Sequence, residues 1–155
     1  MVSVVAASEQ DCEAILALQK LAFGRIVIRT NFPAIPPMAE TLAELRQDFA
    51  SSTILKALFG DQLVGSVRGA VHNKVCQVRR MAVHPEHQGR GVGTALLSQL
   101  ELTFAGVGAF ELFTHSRNVE AIGLYKRHGY RVTHTKVLPA SGPMVFMAKV
   151  RRVAP

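Results

Sequence analysis

No apolar run in this 155-residue chain approaches the ~18 residues that a membrane-spanning helix needs. The first residues carry no basic stretch ahead of their short apolar piece, so a secretory leader is not expected and a cytoplasmic location is. Cysteine is scarce. Cys12 and Cys76 fall on an expected helix and an expected strand, without metal-ligand spacing, and read as reduced thiols. His84 and His87 flank Pro85, which disfavours a helical pair, and no third ligand lies nearby, so no metal centre is expected. There is no internal repeat and no low-complexity stretch, and one domain spanning residues 1–155 is the expectation.

Acidic residues are also scarce in one half. Residues 1–65 hold five Lys and Arg against seven Asp and Glu, whereas residues 66–155 hold thirteen against four. The net charge of +7 is therefore a property of the second half, whose field attracts polyanions. A basic nucleic-acid-binding module is one reading of that field, but no aromatic ladder or recognition motif supports it.

What the chain does have is a glycine-rich stretch, Met81-Ala-Val-His-Pro-Glu-His-Gln-Gly-Arg-Gly-Val-Gly-Thr94. An apolar run with strand period, Val75 to Val83, precedes it. Ala95, Leu96, Leu97, Leu100 and Phe104 follow at helical spacing. Gly89, Gly91 and Gly93 have no Cβ, so backbone N–H groups can approach a ligand closely where the helix dipole is positive. Arg90 adds a full charge. The Walker pattern fails for want of Lys before Thr94, and the dinucleotide fingerprint fails because the glycines run G-x-G-x-G.

The other elements follow in order. Ser3–Ala7 reads as a strand. Ser8 caps a helix with Asp11 three residues on. That helix carries a stripe of Cys12, Ile15, Leu16, Ala22 and Phe23, broken only by Gln19, and is expected to end at Gly24. Arg25–Pro37 reads as a loop. A second helix starts near Pro36 and buries Met38, Leu42, Leu45 and Phe49. Thr53–Phe59, Leu63–Val71 and Val75–Val83 form an antiparallel meander. A strand at Phe110–Thr114, a helix that Asn118 can cap, and strands Tyr130–Leu138 and Met144–Val150 complete the chain. Arg79 and Arg80, adjacent on a strand, should face opposite sides. The order β-α-α-β-β-β-α-β-α-β-β is mixed α/β, with a central, mostly antiparallel, twisted sheet flanked by helices.

A second motif is Asn118-Val-Glu-Ala-Ile-Gly-Leu-Tyr125-Lys-Arg-His-Gly-Tyr130, with Asn118 and Tyr125 two helical turns apart on one face. Together, Gln88-Gly-Arg-Gly-Val-Gly93 and Asn-x-x-Ala-x-x-x-Tyr-x-x-x-Gly-Tyr resemble the two motifs of the GNAT superfamily of N-acetyltransferases, and the element order resembles that fold over almost the whole chain. The resemblance implies acetyl-CoA as co-substrate, without a metal, and a small-molecule or peptide amine as acceptor. It implies that Gln88, Gly89, Arg90, Gly91, Val92, Gly93 and Thr94 take the pyrophosphate, and that Met81, Ala82 and Val83 pair with the pantetheine arm. It also implies that Tyr125 protonates the leaving sulfur and that Asn118 contacts the donor.

Some relatives carry a Glu eleven positions before the loop glutamine. Here that position is Gln77, which cannot accept a proton. His115 is the candidate base, with a bridging water as the alternative. With Arg25 and Arg29 and no acid between Phe23 and Met38, the acceptor is expected not to be a polycation, unless Glu40, Glu44 and Asp48 line the cleft. A longer acyl donor, a catalytically silent coenzyme A-binding protein and a homodimer stay open.

Overall fold

A computed structural model describes residues 1–30, 35–139 and 141–151, with the backbone alone at 29 and 30. The chain alternates β1 (Val2–Ala6), α1 (Cys12–Thr30), α2 (Pro36–Ala39), α3 (Leu42–Asp48), β2 (Thr53–Phe59), β3 (Gln62–His72), β4 (Val75–Val83), α4 (Val92–Thr103), β5 (Ala109–His115), α5 (Val119–Arg127), β6 (Arg131–Leu138) and β7 (Gly142–Val150). Seven strands form one sheet in the order β1-β2-β3-β4-β5-β7-β6. Every pairing is antiparallel except β4 with β5. Among the described residues no helix is long and apolar enough to cross a membrane.

Alternation along the strands sorts side chains to two faces. Leu55, Ala57 and Val67 join Leu96, Leu97 and Leu100 of α4 in the larger core, while Ile54 joins Cys12, Ile15 and Leu45 on the other side. The β3–β4 hairpin closes through Asn73 and Lys74, at φ 50° and 64°. Two successive left-handed residues give the twist that a two-residue hairpin needs.

Helix α1 does not stop at Gly24 but continues to Thr30. A mid-helix glycine costs about 1 kcal/mol, yet Ile15, Leu18 and Ala22 keep one buried row up to it, and the half-buried Ile26 continues that row to the cavity described below. Of the expected Arg25–Pro37 loop, residues 25–30 are therefore helical, and 31–34 lie outside the described residues. The expected second helix is two. The backbone is extended at Glu40 (ψ 134°), and Thr41 restarts the helix with a capping box, its hydroxyl accepting from Glu44 N–H while Glu44 accepts from Thr41 N–H.

Gln19, the residue that broke the apolar stripe, is fully buried, and so is Arg68 of β3 at 2% exposure. The Arg68 guanidinium donates to Glu40 Oε1 at 2.6 Å and Oε2 at 2.8 Å, to Asp48 Oδ2 at 3.1 Å and to Gln19 Oε1 at 2.8 Å. Gln19 in turn donates to Glu40 Oε1 at 2.9 Å and to the Pro37 carbonyl at 3.0 Å. The network ties α1, α2 and α3 to the sheet. The expectation that Glu40, Glu44 and Asp48 might line the cleft is corrected by it: Glu40 and Asp48 are consumed by Arg68, and Glu44 by the Thr41 cap.

Candidate active site

Strands β4 and β5 are paired only at Val75 with Ala109, Cys76 with Phe110 and Gln77 with Glu111. Beyond Gln77 they diverge, and β5 pairs with β7 instead, up to His115 with Met144. From Val78 to Val83, β4 pairs through β3 alone. An open strand edge of this kind accepts an extended ligand as if it were another strand. The wedge between the two strands is a cavity of about 590 Å³.

The glycine-rich turn stands at the cavity and opens α4. Gly89 and Gly91 have φ of +76° and +83°, and a Cβ at either would meet nothing within 4 Å. Gly91 is the N-cap, and among the described residues no side-chain cap bond closes the helix start. The first-turn N–H donors need a partner, and an anion is a suitable one. Gln88, Gly89, Gly91, Val92, Gly93 and Thr94 line the cavity, as do Met81, Ala82 and Val83; Arg90 does not. Gly93 has a packing role as well: a Cβ there would lie 2.6 Å from Leu124 Cδ2, so its absence lets α4 approach α5.

The second motif supplies further lining. Tyr125 and Asn118 both line the cavity. Tyr125 is 6% exposed, its ring packs on Tyr130 at 5.8 Å between centroids, and burial pushes its phenol well above the ordinary value. It is therefore a neutral O–H across the working pH range. Asn118 begins α5 but does not cap it. Its side-chain amide turns back and donates to Thr114 Oγ1 of β5 at 3.1 Å, correcting the capping expectation.

His115 is buried and lines the cavity. Its Nδ1 accepts from the Arg117 N–H at 3.1 Å, which puts the proton of the neutral ring on Nε2. Burial and the positive charge of Arg117 both lower its pKa, so the ring is neutral at pH 7. In this tautomer Nε2 is a donor, not a proton acceptor.

His87, read from the sequence as a plain loop residue, is buried in the cavity wall between Phe59 and His84, with ring centroids 5.6 Å from each. The expectation that Arg79 and Arg80 face opposite sides is corrected. Arg68 pairs with Arg79 and Ser66 with Ala82, so one residue of β3 spans two of β4, and Arg80 sits at φ +56° in the bulge. The alternation breaks there, and both arginines reach one carboxylate cluster. Arg79 lies 3.4 Å from Asp48 Oδ1, and Arg80 Nε lies 3.8 Å from Glu40 Oε1. No regularity in the sequence signals that bulge.

The model of the Acetyltransferase (GNAT) family matches residues 13–130. The chain belongs to the GNAT acetyltransferase family. It is 28% identical over 150 residues to an uncharacterized N-acetyltransferase of Bacillus subtilis, YjcF, covering 96% of this chain and 99% of that one. A local match to an uncharacterized Mycobacterium leprae protein is 39% identical over 75 residues, 47% of this chain and 21% of that protein. The fold superposes on the PaiA N-acetyltransferase of Thermoplasma acidophilum, solved in complex with coenzyme A, with a TM-score of 0.82. There the identity is 15% and the coverage 97% of this chain and 99% of that one.

Within this GNAT chain the substitution at Gln77 has a visible counterpart. Its amide donates to Glu111 Oε1 at 3.0 Å, and neither residue lines the cavity.

Proposed function

We propose that this acetyltransferase moves an acetyl group directly from acetyl-CoA to a primary amine of a small molecule or peptide. The observation carrying the reading is the wedge itself: an unpaired β4 edge, a glycine-rich helix start without a side-chain cap among the described residues, and a neutral buried phenol, all lining one cavity. Acetyl-CoA, when bound, supplies an acyl group already activated as a thioester. The residues present fit it. Gly89 and Gly91 leave open space, and the α4 N-terminus supplies donors for a pyrophosphate. Met81, Ala82 and Val83 offer backbone groups to an extended arm. Tyr125 holds its proton ready for the departing sulfur. His115, as an Nε2–H donor, suits an oxygen on which negative charge develops. The amine loses its proton to water, because neither Gln77 nor this His115 tautomer can take it.

Acetyl-CoA supplied with a panel of amines and peptides, with free thiol release as the readout, tests the reading. Thiol release that depends on the amine supports it. Coenzyme A binding without such release supports a silent coenzyme-binding protein instead. The loop has its own test. Gly91→Glu adds a negative side chain at the proposed pyrophosphate position and a left-handed-backbone cost on the order of 1 kcal/mol. Acetyl-CoA affinity should fall at least about tenfold by calorimetry, a loss of about 1.4 kcal/mol. Gly91→Asn, which tolerates the same φ without a charge, should lose less. Unchanged affinity in the Glu variant removes the loop from the site.

The acceptor is proposed not to be a polycation. Such ligands are held by free carboxylates, and Glu40 and Asp48 are already committed to Arg68. At low salt, kcat/KM for spermidine should be below that for a small zwitterionic amine; the reverse order overturns this part.

A further inference from the structure

Behind the cavity, three guanidiniums share two carboxylates. Both Glu40 oxygens accept from Arg68, and Oε1 also from Gln19. Asp48 Oδ2 accepts from Arg68, and Oδ1 from Ser51, Ser52 and Arg79. One positive charge is left over, and geometry puts it on Arg80. Among the described residues Arg80 makes no side-chain hydrogen bond. Its Nε is buried without a partner, and its nearest acid, Glu40 Oε1, is 3.8 Å away and already doubly used. Burial, with repulsion from Arg68 and Arg79, outweighs the pull of Glu40 and Asp48 and lowers its pKa. Arg80 is nevertheless a quarter exposed and lines the cavity. A bulge that holds a non-glycine residue at φ +56° and directs an under-compensated guanidinium to a ligand cavity is strain placed at a binding position.

Apolar side chains share the cavity with it. Phe23, Ile26, Ile35, Pro37 and Met144 line the same cavity. These residues come from α1, from the start of α2 and from β7 rather than from the glycine turn at the α4 N-terminus.

Resting on the acetyl-transfer reading above, we propose that Arg80 is the anchor for a single carboxylate carried by the acceptor beside its amine. The acceptor class is then a zwitterionic amine with an apolar substituent, as in a free apolar amino acid. One excess charge matches a monoanion, and a guanidinium binds a carboxylate in the plane of its fork.

The test uses product mimics, which have no titrating amine. The full-length protein saturated with coenzyme A is titrated by calorimetry with N-acetyl-L-leucine, its phenylalanine and methionine counterparts, and the carboxamide of each. At least one acid should bind about tenfold tighter than its amide. In Arg80→Gln that preference should vanish while coenzyme A affinity stays within about twofold. The melting midpoint should not fall, because a charge repelled by Arg68 and Arg79 has been removed. Arg80→Lys should restore part of the preference. Equal binding of acid and amide in all three pairs overturns the proposal, as does a preference that survives Arg80→Gln. A parallel loss of coenzyme A affinity also overturns it, since Arg80 would then belong to the donor. If the unaltered protein fails to bind coenzyme A, the acetyl-transfer reading is what falls; the acid-against-amide comparison without coenzyme then still decides for or against Arg80.

Discussion

Tyr125→Phe is expected to lower kcat by roughly 10²- to 10⁴-fold, the range that general acid catalysis supplies, with KM for acetyl-CoA little changed. The buried ring stays, and with it the packing on Tyr130. The phenol makes no hydrogen bond among the described residues, so its removal strands no buried partner. Loss of the proton donor is the remaining consequence. Burial raises the pKa of Tyr125, which makes it a weaker acid, but the same surroundings disfavour a bare thiolate and so raise the proton affinity of the departing sulfur in the same direction. Steady-state kinetics on an active amine, with thiol release as the readout, measure the effect; single-turnover kinetics establish that the chemical step is rate-limiting. A Phe variant with near-normal kcat under those conditions would reduce Tyr125 to packing.

Arg68→Met should cost about 3–5 kcal/mol of stability, the penalty for leaving buried charges without their partner. Arg68 is 2% exposed, and the side chains of Glu40 and Asp48 are 8% and 13% exposed, so solvent cannot replace the guanidinium. For a chain of this length the melting midpoint should fall by roughly 6–20 °C. The deficit should depend on pH. Burial alone would raise the Glu40 and Asp48 pKa values, but hydrogen bonds and charge from the arginines, Gln19 and Ser52 lower both. Carboxylates with depressed pKa values stabilise fully above their ordinary range near pH 4 and lose that contribution as pH falls through the depressed values. The gap between parent and variant should therefore be widest near neutrality and narrow below about pH 4. A gap that does not change with pH would mean that Arg68 acts through its apolar stem. A loss under about 1 kcal/mol would mean that water enters and satisfies the acids.

Strand boundaries in the sequence came within one or two residues of the structure, because Gly60, Asn73-Lys74 and Gly129 punctuate them and the alternation between them is regular. The glycine turn was equally legible, since Gly89 and Gly91 both stand at positive φ just before a helix. What sequence reading missed was tertiary in origin. The end of α1 was placed at Gly24 because helical propensity argued for it, but the packed row through Ile26 outweighs one glycine. Gln19 looked like a flaw in an apolar stripe; its reason is Arg68, forty-nine residues away. The position of Arg80 depends on one extra residue in a strand pairing, which leaves hydrophobic periodicity untouched. His115, named from the sequence as a candidate base, lines the cavity, but its tautomer follows from a backbone N–H two residues on and is not legible in the sequence.

The parting of β4 from β5 also has a mechanical side. The sheet is two panels, β1 to β4 and β5 to β7, whose shared seam is three residue pairs long. The neighbouring β3–β4 and β5–β7 pairings each hold seven. Thermal opening should begin where backbone bonding is thinnest, so the line along which this fold would tear is the line along which its ligand is proposed to lie. A molecule lodged there would act as reinforcement across the seam, so the proposed point of recognition would coincide with the fold's point of weakness.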